Sequence, residues 1–260
     1  MYPRFSEWIE YDISLEDPII NIIRDPHINV DTKIARLSEV SLDPRLESYM
    51  NFLLAQLLYH DGSPEYRKKI VSYCDKVLEQ SLYLPAELKQ DCLIMKVHGV
   101  YVSPDGSIWS KVIRHEQLDL LMEAFDINPE RFRGYCSTDH LILDAVRLKR
   151  TDILENLRGR VDFNVLSHWE EPALLIAEMF PEKECVDILL EGGADPFFGK
   201  EHSVIRYLLT RNMKDRVEIY MDHLIKTVPR ELSSKLKEIK REYEDYYDFE
   251  DPDIIDSLIK

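Results

Sequence analysis

The chain is poor in glycine and cysteine, and it contains no long uninterrupted hydrophobic run. Its 260 residues include 8 glycines, too few for a nucleotide-cradling loop or a loop-rich β fold but natural for a helical one. The four cysteines lie far apart, which excludes a CxxC clip and a short zinc pattern, so we expect reduced thiols on helices. No stretch approaches about 18 apolar residues, and the N-terminus has no signal-peptide pattern, so no membrane span or secretory leader is expected.

Positive charge is also scarce. The chain has 33 Lys and Arg against 49 Asp and Glu, a formal net charge of −16. Nucleic acids and anionic membrane surfaces are bound through clustered Lys and Arg, so we expect neither as a partner. The balance favours a protein partner with a basic or mixed-charge surface, although acidity alone would also serve solubility. We predict a cytoplasmic protein without a cofactor, because no Gly-rich phosphate loop or dinucleotide fingerprint occurs.

Apolar residues recur at helical spacing through most of the chain and never alternate cleanly, which predicts an all-α fold without a sheet. Hydrophobic residues make up 45% of the sequence, enough for a sizeable core. In the N-terminal part, one helix is predicted to have Pro44 in its first turn and to end at Asp61-Gly62. Ser63 is predicted to cap a second helix, and a third is predicted to start near Pro85.

From about residue 104 the chain repeats itself with a period of 32 or 33 residues. The aligned small or aliphatic residues of the first helices are Val112, Ala145, Ala177 and Leu209. Eight positions beyond each stands the start of a second helix, at Leu120, Ile153, Cys185 and Val217. The first three units then close in a turn, at Asp126-Ile127-Asn128, Val161–Asn164 and Ala194-Asp195-Pro196. Such units cannot bury their apolar faces alone, so each needs a neighbour.

Residues 104–232 resemble ankyrin repeats. Gly193-Ala194-Asp195 matches the turn of that family directly. Pro172, Leu174 and Ala177 match the Pro, the first Leu and the Ala of the family's Thr-Pro-Leu-His-x-Ala opening. The resemblance covers about half of the chain, and it implies an ankyrin-like helical solenoid with a helical N-terminal extension.

The repeats also depart from the family pattern. Glu171 stands where Thr is usual, and Leu175 stands where His is usual. The glycine expected between the paired helices is missing, with Lys149-Arg150 in one unit and Pro181-Glu182-Lys183 in another. In the family the Thr and His stabilise the turn through local hydrogen bonds, so we expect these repeats to be less regular.

The resemblance divides the chain into three regions. Residues 1–103 form the helical extension, residues 104–232 hold about four diverged repeats, and residues 233–260 hold a C-terminal helix and an acidic tail. The helix predicted over Leu232–Tyr243 would cover the last repeat, as the extension covers the first. The tail from Glu242 onwards is expected to be a solvated end. Two functional alternatives are a docking segment for a basic groove and an export signal of the kind found on bacterial effectors.

Ankyrin-like arrays bind partners on a concave face formed by the turn tips and the exposed side of the first helices. Large aromatic side chains lie in the predicted tips, which are expected to face water, and aromatic anchors dominate binding hot spots. The tips are predicted at Arg133–Ser137, Leu166–Glu170 and Phe197–His202. We therefore predict a partner-binding surface with anchors at Tyr135, Trp169, Phe197 and Phe198, and polar contacts at His168, Lys200 and His202. The alternative for each ring is that it folds back onto the repeat stack.

No residue pattern predicts a metal site or a catalytic site. No two of the eight histidines have the i, i+4 spacing of a zinc helix. Cys74 and His98 could be imagined as a nucleophile set, but Cys74 lies on an apolar helix face, where thiols are inert. We predict a protein that is not an enzyme. The alternative is an active site within residues 1–103 or at their junction with the repeats.

The function predicted from the sequence is protein–protein interaction through the concave face of the array. Diverged ankyrin repeats with an acidic C-terminus occur in host-directed effectors, which implies a bacterial effector or viral host-interaction protein acting in the host cytoplasm. A purely inhibitory role, in which the array or the tail blocks a basic site of a partner, is a further alternative.

Overall fold

The structure is a computed structural model that divides into two compact units, Met1–Ser137 and Thr138–Lys260. It describes residues 21–23, 25–40, 44–79, 85–101, 115–199, 202–211, 213–227, 234–235, 237–238 and 241. In these ranges the regular elements are helices, accompanied by one isolated β-bridge, so the predicted all-α class is confirmed. The division after Ser137 leaves the region predicted as the first repeat in the first unit. Within the same ranges no helix is long and apolar enough to cross a membrane.

The first unit is a chain of helices in which each packs against its neighbours. They are α1 (Val30–Ser38), α2 (Pro44–Asp61), α3 (Arg67–Glu79), α4 (Ala86–Tyr101), α5 (His115–Ile127) and α6 (Pro129–Tyr135). The predicted starts at Pro44 and near Pro85 and the predicted end at Asp61 are confirmed. Ser63 was predicted to cap α3, but a short 3-10 turn over Pro64–Tyr66 lies between Ser63 and that helix. Its carbonyl accepts the Tyr66 N–H at 3.1 Å in a short 3-10 turn, and its hydroxyl donates to Asp61.

One core cluster of this unit lies between α1 and α2, and another lies between α2, α3 and α4. In the latter, one apolar face of each helix is buried because its residues recur three or four positions apart. The buried residues are Phe52, Ala55 and Leu58 from α2, Ile70, Cys74 and Val77 from α3, and Leu88, Cys92 and Met95 from α4.

Helix α6 occupies the place where the repeat pattern predicts a turn tip at Arg133–Ser137. The Asn128 side chain caps the helix by accepting the Arg131 N–H at 3.0 Å, and Pro129 takes a position in the first turn. The Phe132 ring then packs edge-on against Phe125 of α5, with 5.5 Å between ring centroids. The predicted tip is therefore wrong up to Tyr135, because Asn-Pro-Glu starts a helix there instead of closing a repeat.

Within its described residues between 138 and 227, the second unit contains three helix pairs. They are α7 (Thr138–Arg147) with α8 (Thr151–Leu157), α9 (Ala173–Glu178) with α10 (Glu184–Glu191), and α11 (Val204–Thr210) with α12 (Lys214–Thr227). The first helices pack on one another in order, α7 on α9 and α9 on α11, and α8 packs on α10. The aligned residues Ala145, Ala177 and Leu209 are all buried, as the repeat register requires.

The turns between paired helices are closed without the glycine that the family uses. Lys149 takes the left-handed conformation itself, with φ of 55°, at a cost on the order of 1 kcal/mol. Its Nζ lies 2.6 Å from Glu182 Oε2, 33 residues along the chain, and 5.2 Å from the Phe180 ring centroid. In the next pair, Lys183 Nζ donates to the carbonyls of Glu178 and Phe180 at 2.6 and 2.7 Å. Lysine side chains thus stabilise both turns.

The carboxylate of Glu178 is buried at the end of α9 and accepts hydrogen bonds from two other elements. Arg216 of α12 binds it with both arms, Nε to Oε1 at 2.9 Å and Nη2 to Oε2 at 2.7 Å. The Tyr220 hydroxyl donates to Oε2 at 2.6 Å, and Lys183 Nζ lies 3.1 Å from Oε1. Burial alone would raise the pKa of Glu178, but the hydrogen bonds from Arg216, Tyr220 and Lys183 outweigh it and lower that pKa. The carboxylate therefore stays ionised and joins three elements.

We expect Glu178→Gln to lower the free energy of unfolding by about 3 kcal/mol, because it leaves the buried side of Arg216 without its charge partner. Since the folded pKa of Glu178 lies below the unfolded one, the ionic contribution is complete above about pH 5. It is lost as the pH falls through the folded pKa, so the difference from the native chain should shrink below about pH 4. Urea denaturation across this pH range measures both effects.

Glu155→Gln is the matched control, because Glu155 pairs with Arg158 in an exposed i,i+3 ion pair. It should change the stability by about 0.5 kcal/mol or less. A loss for Glu178→Gln no larger than for this control would show that the buried cluster contributes little.

Candidate functional site

The segment Asn164–Pro172, here called the first finger, leads into α9 and contains a tight hairpin over Val165–Pro172. It is closed by the Leu166–Pro172 bridge and by the Ser167 N–H donating to the Glu171 carbonyl at 2.8 Å. The buried Ser167 hydroxyl oxygen accepts the N–H groups of Trp169 and Glu171, both at 3.2 Å. Ser167 thus satisfies two backbone N–H groups within the turn.

Trp169 stands at the turn of the first finger with 70% of its surface exposed. The His168 ring lies edge-on to it, with 6.1 Å between the ring centroids, and is itself exposed. The backbone then turns back through Glu170, which has φ of 61° and an N–H that donates to the Ser167 carbonyl at 3.0 Å. The hairpin therefore presents a large aromatic side chain to solvent on a hydrogen-bonded turn.

The segment Asp195–Gly199, here called the second finger, follows α10 and occupies the corresponding place in the next helix pair. Asp195 Oδ1 accepts the Phe197 N–H at 2.9 Å, and the Asp195 carbonyl accepts the Phe198 N–H at 2.9 Å. These bonds hold a compact turn in which Phe197 and Phe198 are both partly exposed. His202 lies just beyond it and is exposed, with its N–H donating to the Gly199 carbonyl at 2.9 Å.

The two fingers contact each other. At their base, Asn164 Oδ1 accepts the Asp195 N–H at 2.7 Å. Further out, Gly199 has φ of +89°, and a Cβ at this position would lie 2.4 Å from Pro172 Cγ. Leu166, 39% exposed, is also a neighbour of this position. The two fingers therefore lie side by side at the surface.

The structure thus brings His168, Trp169, Phe197 and Phe198 onto neighbouring fingers, with His202 close by in the chain. Leu166 joins this surface and was not among the predicted residues. Lys200 lies outside the described residues, and so does the side chain of Tyr135. The backbone of Tyr135 belongs to α6 in the first unit, so it is not on a finger.

Phe197 is covered on one side by Lys235, whose Nζ lies 4.9 Å from the ring centroid. The same ammonium is 3.1 Å from Asp195 Oδ2. The sequence predicted a helix over Leu232–Tyr243 that covers the last repeat, but it did not indicate this contact, because Lys235 lies 40 positions from Asp195 and outside the repeat period. Phe197 is therefore less available as an anchor than Trp169.

The first helix of the central pair is not exposed. All six residues of α9, Ala173 to Glu178, are buried. The predicted concave face was to combine the tips with the exposed side of the first helices. In this helix pair, the exposed residues of the predicted binding face come from the first finger instead of from the first helix.

Polar groups in the N-terminal unit have structural contacts. Asp91 is buried, and burial, opposed by the Arg131 guanidinium at 2.6 Å, raises its pKa to about 7. A perturbed carboxyl can mark an active site. This one, however, joins α4 to α6, beside Gln90, which donates to the Ala124 and Asn128 carbonyls at 2.8 Å. The arrangement is that of a helix-packing contact.

The cysteines are free, and three of them are buried. Burial raises the pKa of the Cys136 thiol to about 12 and also raises that of Cys92, where a hydrogen bond with Cys74 adds to the effect. Thiols of this kind are poor nucleophiles. Among the residues that the structure describes, no group of three or more His, Cys, Asp and Glu is arranged to hold a metal ion.

Comparisons of the chain with protein-family models, with curated proteins and with solved structures find no match. The ankyrin resemblance accordingly stays a prediction, which depends on the residues of this chain alone.

We expect Gly199→Ala to destabilise the protein more than Gly159→Ala does. Both glycines have positive φ, +89° and +73°, but a Cβ at Gly159 would meet open space, whereas one at Gly199 would overlap Pro172. The backbone cost of about 1 kcal/mol is common to both variants. The contact between the fingers should add about 1–2 kcal/mol in Gly199→Ala. Urea denaturation of the two variants measures the difference, and equal losses would contradict the contact.

Proposed function

We propose that the second unit is an ankyrin-like array that binds a partner protein through its two fingers. The observation that carries the proposal is Trp169, a tryptophan 70% exposed at the turn of a hydrogen-bonded hairpin. A tryptophan that is mostly exposed to solvent is uncommon in a folded protein. A partner that buries this side chain gains roughly 2–4 kcal/mol of binding free energy. Aromatic anchors of this kind are typical hot spots of protein interfaces.

The arrangement of the helix pairs supports the array. Equivalent positions of successive pairs contact each other at the repeat distance. Lys149 binds Glu182, and Arg158 binds Glu191, in both cases 33 residues along the chain. The first helices stack in sequence order, as successive ankyrin units do. We propose three such units, α7–α8, α9–α10 and α11–α12.

The surface of the fingers supports a partner of mixed apolar and basic character. Leu166 and Trp169 provide apolar area, and Phe198 extends it on the second finger. Glu170 is exposed beside Trp169, and Asp195 has a partly exposed carboxylate. In a chain of net charge −16, a basic segment of the partner would be attracted over a distance and would speed the encounter. A host-directed setting in the cytoplasm is what the resemblance implies, and it stays a prediction.

The double substitution of Trp169 and Phe198 by Ala should reduce capture of the partner from a lysate by tenfold or more, because each removes an anchor worth about 1–2 kcal/mol. Capture is quantified by mass spectrometry on the immobilised proteins. Both side chains are at least partly exposed, so the double variant should keep its helical circular dichroism and thermal stability.

Met179→Ala is the matched control, because Met179 is 49% exposed at the opposite end of α9 from the first finger. Its capture profile should equal that of the native chain. A folded double variant that captures the same proteins as the native chain would rule out the fingers as the binding site.

A further inference from the structure

In the second finger, the Asp195 carboxylate and the Phe197 ring together form a site that the Lys235 ammonium occupies. This site is called the Asp195–Phe197 notch. Lys235 Nζ lies 3.1 Å from Asp195 Oδ2 and 4.9 Å from the centroid of the ring. The ammonium therefore makes an ion pair and a cation–π contact at once.

The notch is built by bonds within and between the fingers, independently of Lys235. The Asp195 N–H donates to Asn164 Oδ1 at 2.7 Å, and Asp195 Oδ1 accepts the Phe197 N–H at 2.9 Å. The second of these bonds engages Oδ1 of the carboxylate, and Oδ2 faces the cation. Because Oδ1 is already engaged, a compact ammonium with a single point of contact fits better than a guanidinium, which binds carboxylates with two parallel bonds.

The contact between Lys235 and the notch is weak enough for another ammonium group to replace Lys235. The Asp195 and Lys235 side chains are 38% and 31% exposed, so water screens their attraction. A competing ammonium of the same chemistry, delivered by a partner that also contacts the fingers, would replace it at little cost.

We propose that the Asp195–Phe197 notch receives a lysine side chain of the partner protein, and that Lys235 fills it in the free protein as an intramolecular competitor. This inference rests on the proposed function, since it identifies a basic segment as what the partner places beside Trp169. The Lys235 contact then lowers the apparent affinity for any lysine-bearing segment, because the competitor is tethered to the same chain. Removing Lys235 should open the notch.

The test uses Lys235→Ala in the full chain and a fluorescein-labelled tetralysine peptide as the probe, with fluorescence anisotropy at low salt. We expect the variant to bind the probe about three- to tenfold more tightly than the native chain. Adding Asp195→Asn or Phe197→Leu to Lys235→Ala should abolish the gain. Lys235→Gln, which retains a long side chain without its charge, should give the same gain as Lys235→Ala and guards against a folding defect of either variant.

Lys237→Ala is the matched control, because Lys237 is exposed two residues away and its removal changes the net charge equally. It should alter probe affinity by less than about twofold. An equal gain from Lys237→Ala, or a gain that survives Asp195→Asn, would reduce the effect to overall charge and overturn the inference.

The outcome is separable from that of the proposed function. Trp169→Ala should leave the gain in tetralysine binding unchanged, since the probe is too short to need that anchor. Loss of the Lys235 effect while the Trp169 and Phe198 substitutions still abolish capture would overturn the notch alone. Persistence of the Lys235 effect with unchanged capture would overturn the proposed function, and with it the assignment of the occupant to a partner.

Discussion

The hydrogen bonds to the buried carboxylate of Glu178 connect α12 to α9, a helix that is too short to be stable by itself. Helix α9 has six residues, too few for a stable helix by itself, and all of them are buried. Its one charged side chain must find partners or impose a large desolvation penalty. Arg216 and Tyr220 of α12 and Lys183 of the following turn supply them. Because the first finger leads directly into α9, the position of Trp169 depends on this cluster.

The same unit closes its turns without the residues that the ankyrin resemblance led us to expect. Lys149 accepts a strained backbone where glycine would be relaxed, and an ion pair and an aromatic ring hold it there. Ser167 provides the hydrogen bonds inside the finger. The turns are thus held by other side chains, and Ser167 acts from a position different from those of Glu171 and Leu175. The conformation and the hydrogen bonds that a turn requires can be provided by more than one type of side chain.

The candidate site was predictable where it depends on local pattern and not where it depends on distant contacts. The repeat register placed Trp169 and His168 in a turn, because a short polar segment between two apolar helices must run over the surface. Tyr135 was misplaced, because Asn128-Pro129 carries a helix-start signal that the repeat period masked. The full burial of α9 and the Lys235 cover on Phe197 could not be predicted, since burial and long-range contacts depend on elements far apart in the chain.

The sequence by itself determined that the described part of the chain is helical, that helices begin at Pro44 and near Pro85, and that aromatic residues stand between later helices. These properties follow from hydrophobic spacing, proline and glycine positions, all of which act over a few residues. Tertiary structure decided which aromatic side chains remain accessible. Trp169 is left in solvent at the turn of its hairpin, whereas Phe197 shares a notch with Asp195 and Lys235. That choice depends on how the fingers pack and on which distant charges reach them, and no short stretch of sequence contains this information.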